Sequence, residues 1–364
     1  MLDIDVYSRV SGFDYKMSAI IDSFKSLIID DNFQDFNKFE LTLSYSKENA
    51  ELFKPETILK LRDVYYFVTD AQIDNVNDKE LTVLGKSLYA KAYDRIVDSI
   101  TTVNLKPEQF AWNLLNGYVA KNAPVAVRYN YLNLGALTTW STDNIQTQNS
   151  YGVVGEVISK LFEAYDFGMK EAGGFDDVTN TMTLYKGRDL RKTIEISTDF
   201  ENLINSGYEA SFADYRNYAI VLGEGEGAER TRLNYTIDGS VPTGIDRREI
   251  YVDARDLQKA GSDGSASMTD AQYLLALKNR GQEKLKELDS VLTLKGELNV
   301  HSKLYQLGVD FGLGDTVTIR SALFGVSNSA LITSIKYTYD TTGEYVEPTF
   351  GKQSPTIQDI VNRK

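Results

Sequence analysis

The chain has 364 residues, 42% of them hydrophobic, enough for two or more packed cores, since single cores stop growing at roughly 250–300 residues. Acidic residues number 52 against 39 basic ones, and the net charge of −13 argues against tight binding to phosphate backbones, which requires clustered Lys and Arg. Cysteine is absent and His301 is the only histidine, so disulfides, thiolate nucleophiles, Cys-based zinc sites and multi-His metal sites are excluded, and a Ser-His-Asp triad would rest on one residue. No apolar run reaches the roughly 18 residues of a membrane span. Met1–Val6 reads as a strand start and not as a secretory signal, and the absence of cysteine fits assembly in a reducing cytoplasm. The 23 tyrosines suit half-buried sheet faces and interfaces, where a ring packs while its hydroxyl stays wet.

In chain order, alternation predicts strands at Leu2–Val6, Ile20–Ile21 and Phe39–Tyr45, with Phe39, Leu41, Leu43 and Tyr45 on one face. A short helix or turn at Asn49–Phe53 precedes a strand at Ile58–Leu61. A hairpin follows, out through Phe67–Asp74, turning at Asn75–Lys79, and back through Leu81–Leu84 to Gly85 and Lys86. Pro107 opens a helix carrying Phe110, Ala111, Leu114, Leu115 and Tyr118 that ends before Pro124. A strand near Tyr129–Leu134, a polar loop from Ser141 to Ser150, a helix with Val153, Val154, Val157, Ile158, Leu161, Phe162 and Tyr165 on one stripe, and strands near Met182–Tyr185 and Ile194–Ile196 complete an α/β insertion.

Strands return at Gly207–Phe212, Tyr218–Leu222 and Arg230–Tyr235, before a flexible Gly261–Ser265 loop. Thr269 caps a long helix presenting Tyr273, Leu274, Leu277, Leu285 and Leu288. Strands are then expected at Leu292–Val300 and Lys303–Val309, and Thr316–Ile319 leads into a second hairpin. That hairpin runs out through Leu331–Tyr337, turns at Asp340–Gly343, and comes back through Tyr345 and Val346 to Phe350, Gly351 and Lys352. Thr356–Val361 reads as a last helical turn. The two strand-plus-hairpin segments, about 260 residues apart, are one small β unit written twice.

The expected fold is α+β, predominantly β: two similar β-barrel domains with an α/β insertion. The segments are 1–95 (first barrel), 96–198 (insertion), 199–265 (β-rich connection) and 266–364 (long helix and second barrel). Three copies of a chain holding two barrels imitate sixfold symmetry, a property of an adaptor.

Candidate chemistry is sparse. Gly223-Glu224-Gly225-Glu226-Gly227 follows a strand as a dinucleotide loop would, but its glutamates would repel a pyrophosphate and a strand follows it, so it reads as a hairpin turn. Asp176, Asp177 and Asn180 lack the EF-hand spacing. Asp310 and Asp315 flank Phe311–Gly314 as a glycosidase pair might, but a turn into a strand explains them more simply.

Tyr208–Phe212, Asn217–Gly225, Arg230, the long helix and Val309–Val317 together resemble the tail-hub proteins of long-tailed bacteriophages. This is the baseplate hub or tail-associated lysin type, related in fold to the hub of contractile tails. The resemblance implies a contractile-tail-hub-like architecture and a homotrimer at the virion tail tip, assembled in the host bacterial cytoplasm. It implies docking on the hexameric distal tail protein or the tube and closure of the DNA channel until host binding. Its implied partners are the distal tail protein, the tail tube or tape-measure protein and the receptor-binding proteins of the baseplate, with DNA only in passage and no membrane span. It brings no catalytic, cofactor or metal residue. Gly85, Lys86, Leu313, Gly314, Asp315, Val317, Phe350 and Gly351 form the candidate fold and interface signature. Longer relatives carry cell-wall-cleaving modules behind the second barrel; this chain stops at Lys364, so lytic activity is not carried over. The rival expectations are a cell-wall hydrolase using Asp310 and Asp315 or Glu224 and Glu226, and a carbohydrate-binding module using tyrosines.

Overall fold

The computed structural model describes residues 3–12, 14–73, 79–99, 101–149, 151–175, 177–259, 268–298, 304–321 and 325–351. The first segment forms β1 (Ile4–Ser11), β2 (Asp14–Ile21), β3 (Ser26–Asn32), β4 (Lys38–Ser44), α1 (Lys47–Leu52), β5 (Ile58–Leu61), β6 (Val64–Gln72) and β7 (Glu80–Ser87). Alternation sends Phe39, Leu41 and Leu43 of β4 inward, each 3% exposed or less, while Tyr45 lies past the strand end and is 42% exposed.

The insertion contributes β8 (Thr101–Leu105), α2 (Pro107–Tyr118), β9 (Leu132–Leu134), β10 (Ile145–Asn149), α3 (Val154–Tyr165), β11 (Gly168–Gly173) and β12 (Asn180–Tyr185). Both helices match their predicted stripes: Phe110, Ala111, Leu114 and Leu115 share one core with Val154, Ile158, Leu161 and Phe162. The polar loop expected at Ser141–Ser150 instead holds β10, paired antiparallel with β8. Its sequence, Ile-Gln-Thr-Gln-Asn, has no apolar alternation, so its partner strand decides its conformation.

The remainder forms β13 (Glu195–Ser197), β14 (Leu203–Ser211), β15 (Tyr218–Leu222), β16 (Arg232–Tyr235), β17 (Glu249–Asp253), α4 (Asp270–Glu287), β18 (Val291–Leu298), β19 (Thr316–Ser321), β20 (Val326–Asp340) and β21 (Gly343–Phe350). A capping box at Thr269 and Gln272 starts α4, whose Tyr273, Ala276, Leu277 and Leu285 pack on β15, β16 and β17. The strand expected at Lys303–Val309 is absent from its described part, where Leu307–Phe311 form a turn closed by the Asp310 N–H on Gln306 O at 2.9 Å. The Gly261–Ser265 loop, His301, Asp176, Lys352 and the Thr356–Val361 turn lie outside the described residues.

Thirteen strands join in one sheet, ordered β14-β18-β21-β20-β3-β4-β7-β6-β5-β1-β2, with β19 also on β20 and β13 on β19. The protein is therefore α+β and mainly β, but the two expected barrels are corrected: among the described residues neither unit closes on itself. The reason lies in β3. Its outer edge pairs with β20 of the second unit, Ile29 opposite Tyr337, and not with a strand of its own unit. Both units thus share one hydrophobic core, running from Ile4, Leu41 and Val83 to Val317, Ile332 and Phe350.

The repeat extends further than its hairpins. The pairing order β3-β4-β7-β6-β5 in the first unit recurs as β14-β18-β21-β20-β19 in the second, with strands in the same chain order. Registers agree: the row Ile29, Phe39, Gly85, Val68 has its counterpart in Tyr208, Leu294, Phe350, Ile332. The second unit draws its first strand, β14, from the 199–265 segment.

Candidate assembly interface

Each unit is built around the same corner. In the first, the Thr57 N–H donates to Lys54 O at 3.0 Å; in the second, the Asp315 N–H donates to Gly312 O at 3.1 Å. The third residue of each four-residue turn has positive φ, 71° at Glu56 and 86° at Gly314, as a type II turn requires. Glu56 and Thr57 then bracket Val68 (Glu56 N to Val68 O 3.0 Å, Val68 N to Thr57 O 2.8 Å). Gly314 and Asp315 bracket Ile332 in the same way, both at 2.9 Å. The residue after each bracketed position is a threonine at a β-bulge, Thr69 in β6 and Thr333 in β20. Their hydroxyls donate to the returning strand, Thr69 Oγ1 to Leu84 O at 3.3 Å and Thr333 Oγ1 to Gly351 O at 2.8 Å.

This register refines the signature read from sequence. Gly85 faces Val68 as Phe350 faces Ile332, so the counterpart of Gly85 is Phe350 and that of Lys86 is Gly351. A Cβ on Gly85 would stand 2.2 Å from the Phe39 ring, whereas Phe350 is itself fully buried at the matching place. The Gly351 N–H donates to Leu331 O at 2.8 Å, Val317 is buried in the shared core, and Lys86 Nζ lies 4.9 Å from the centroid of the Phe36 ring.

The second corner also receives the end of β3 and the insertion. Fully buried Phe33 donates its N–H to Thr333 O at 3.0 Å, and its ring fills the space a Gly314 Cβ would need, at 2.4 Å. The Tyr185 ring meets Phe33 edge-on at 5.1 Å, and its hydroxyl donates to Leu313 O at 2.9 Å. Asp315, 4% exposed, accepts the N–H groups of Arg188 at 2.7 Å and Gly312 at 2.9 Å and pairs with Arg188 Nη2 at 2.6 Å. Asp310 Oδ2 accepts the Gln306 N–H at 2.8 Å. Both carboxylates of the candidate glycosidase pair are therefore engaged within the fold, Asp310 by the nearby Gln306 N–H and Asp315 by the nearby Gly312 N–H and the distant Arg188. The Glu224 N–H donates to the Tyr273 hydroxyl at 2.7 Å within the β15–β16 connection, as a hairpin turn allows. Asn180 spends its side chain on Tyr65 and Glu171, and Asp177 accepts the Thr179 hydroxyl at 2.8 Å. Among the described residues no three His, Asp or Glu gather as metal ligands. Nor is any described helix long and apolar enough to cross a membrane.

Two carboxyls at the junctions are poised by burial. Burial raises Glu171 to about 7 against hydrogen bonds from Ser87, Asn180 (2.7 Å) and the Tyr89 N–H (3.1 Å). Asp31, beside Arg62 at 3.4 Å, is raised by burial to about 6. A carboxyl raised on folding stabilises the fold fully below its unfolded value, and the benefit fades as pH climbs to the folded value. Thermal stability should thus fall between about pH 4.5 and 7, Glu171 contributing on the order of 3 kcal/mol. Glu171→Gln should remove part of that slope in melting curves and leave the part due to Asp31 and to the other carboxyls that burial raises, Asp30, Asp35 and Glu283.

Comparison with known proteins gives a match over residues 3–352 to the family model described as Siphovirus ReqiPepy6 Gp37-like protein. The chain belongs to that family. No curated protein sequence matches this family member. It has the fold of phage tail proteins. It is similar to the tail protein from Neisseria meningitidis MC58 (TM-score 0.57, 13% identity, 97% of each chain covered). It is also similar to the 43 kDa tail protein of prophage MuSo2 from Shewanella oneidensis (0.55, 11%, 96% of this chain and 97% of that one). A third likeness is to prophage tail protein gp18 from Listeria monocytogenes EGD-e (0.54, 12%, 99% and 97%).

Sequence reading missed the corner in the first unit and the end of β3. A nine-residue signal was present: Phe53-Lys-Pro-Glu-Thr-Ile-Leu-Lys-Leu61 aligns with Phe311-Gly-Leu-Gly-Asp-Thr-Val-Thr-Ile319. Phe53 and Phe311 are both buried beneath their turns.

Proposed function

We propose that this family member is a structural hub of a phage tail, acting by symmetry matching and without covalent chemistry. The observation that carries the reading is the strand-by-strand duplication, with β3-β4-β7-β6-β5 and β14-β18-β21-β20-β19 built on matching turns and bulges. Two like units per chain, in a homotrimer, present six like surfaces to a hexameric distal tail protein or tube. In this reading residues 1–95 and 266–364 supply most of the ring, and 96–198 and 199–265 narrow the channel below it at the virion tail tip. The channel stays closed until host binding, with the tape-measure and receptor-binding proteins as further neighbours. The Arg188–Asp315, Tyr185–Leu313 and Glu171–Tyr89 contacts tie the insertion to both units, so opening would move it as a body.

Light scattering on the purified chain should give three times its 40.9 kDa mass, and micrographs with the distal tail protein should show a ring docked on its end. A clean monomer at micromolar concentration, alone and with that partner, would sink the reading. No observation favours cell-wall hydrolysis, and a zymogram should show no clearing.

A further inference from the structure

One seam between like units is already visible within the chain. β20 is long: Val326–Leu331 pair with β19, and Ser334–Asp340 continue past it to pair along the same edge with β3. In the first unit β6 does the same, since Val64–Phe67 pair with β5 while Asp70–Gln72 run on. Among the described residues, however, no strand lies on that side of Asp70–Gln72, and Asp70, Ala71 and Gln72 are exposed. The counterpart of β3 is β14, whose outer edge is likewise unpaired among the described residues and whose Glu209 and Ala210 are exposed. Each chain therefore carries one half of a second seam at each of two places.

The geometry points to the pairing of β14 from one copy with the distal half of β6 from the next, in the register of the internal seam. This inference rests on the trimeric reading and names its contact. Inside the chain Asn32, Asp31, Asp30 and Ile29 face Ser334, Ile335, Lys336 and Tyr337. The matching rows put Ser211, Ala210, Glu209 and Tyr208 opposite Asp70, Ala71, Gln72 and Ile73 of the neighbouring copy. No like charges face each other, two alanines meet, and Tyr208 covers Ile73, which is 39% exposed.

The residue after each strand supplies a second, independent sign. β3 is followed by Phe33, buried at the Gly314 corner; β14 is followed by Phe212, the matching residue, which is 48% exposed. The corner it would meet, beside Glu56 and Thr69, is open. A cleft of about 480 Å³ lies there, its walls including Phe36, Phe67, Thr69, Lys86 and Lys91 together with the carboxylates Asp35 and Asp94, with Lys91 Nζ 4.2 Å from the centroid of the Phe67 ring and 2.8 Å from Glu56. Glu56 carries a Cβ that Gly314 lacks, so the Phe212 ring settles beside the turn and toward this cleft, between the two lysines.

The absence of native cysteine makes the test direct. In the full chain, Ala71→Cys with Ala210→Cys should give covalent trimers under mild oxidation, whereas either single variant gives none. Phe212→Ala should lower the mass by light scattering to that of a monomer at concentrations where the native chain is trimeric, with an unchanged circular-dichroism spectrum showing that the chain is still folded. A trimer by mass in which the paired cysteines link nothing, or link only within one chain, overturns this contact and leaves the trimeric reading standing. A trimer unaffected by Phe212→Ala overturns the anchor, and a chain that is monomeric alone and with its distal tail partner removes both.

Discussion

Asp315→Ala should destabilise the chain by about 3 kcal/mol, read as a lower denaturation midpoint. Asp315 is 4% exposed and satisfies three donors from two parts of the chain: the Gly312 N–H, the Arg188 N–H and the Arg188 guanidinium. Removing it leaves two part-buried backbone N–H groups without their acceptor, each costing about 1 kcal/mol or more. The guanidinium adds less, because the Arg188 side chain is 55% exposed and can turn to water. Asp315→Asn keeps one acceptor oxygen and should recover roughly half of the loss. If alanine and asparagine both leave the midpoint unmoved, the corner does not hold the insertion to the second unit as described.

Gly314→Ala should cost a similar amount, about 3 kcal/mol, for a different reason. At φ 86° a Cβ is strained by about 1–2 kcal/mol, and here it would also stand 2.4 Å from the Phe33 ring, an overpacking cost of about 1–3 kcal/mol. Phe33 would have to leave its seat, loosening β3 from β20. The matching position in the first unit gives a contrast. Glu56 already tolerates φ 71°, so Glu56→Gly relieves strain but frees the unfolded chain and loses the Lys91 ion pair at 2.8 Å, for a net change within about 1 kcal/mol. Equal effects at the two positions would argue that the corners are not differently occupied.

Much of this architecture is legible in the sequence because it is local. Period-2 alternation marks β4, β5 and β12, period-3.6 stripes mark α2 and α3, Pro107 and Thr269 mark helix starts, and the duplicated hairpins expose the repeat. Polar β10 escaped because nothing in its own composition calls for a strand. The offset between Gly85 and Phe350 escaped for a similar reason: two glycines in similar contexts, Gly85 and Gly351, suggest a match that strand register moves by one residue.

The amino-acid sequence by itself determined the predominance of β structure, the two related units and the scarcity of catalytic groups, since each follows from residue type and spacing along the chain. Only the tertiary structure decided that, among the described residues, the units share one open sheet and not two barrels, because that depends on which edge β3 takes, a choice between partners about 300 residues apart that no local pattern encodes. It also decided that Phe33 is buried while Phe212 is exposed, two residues with the same place in their strands but different neighbours.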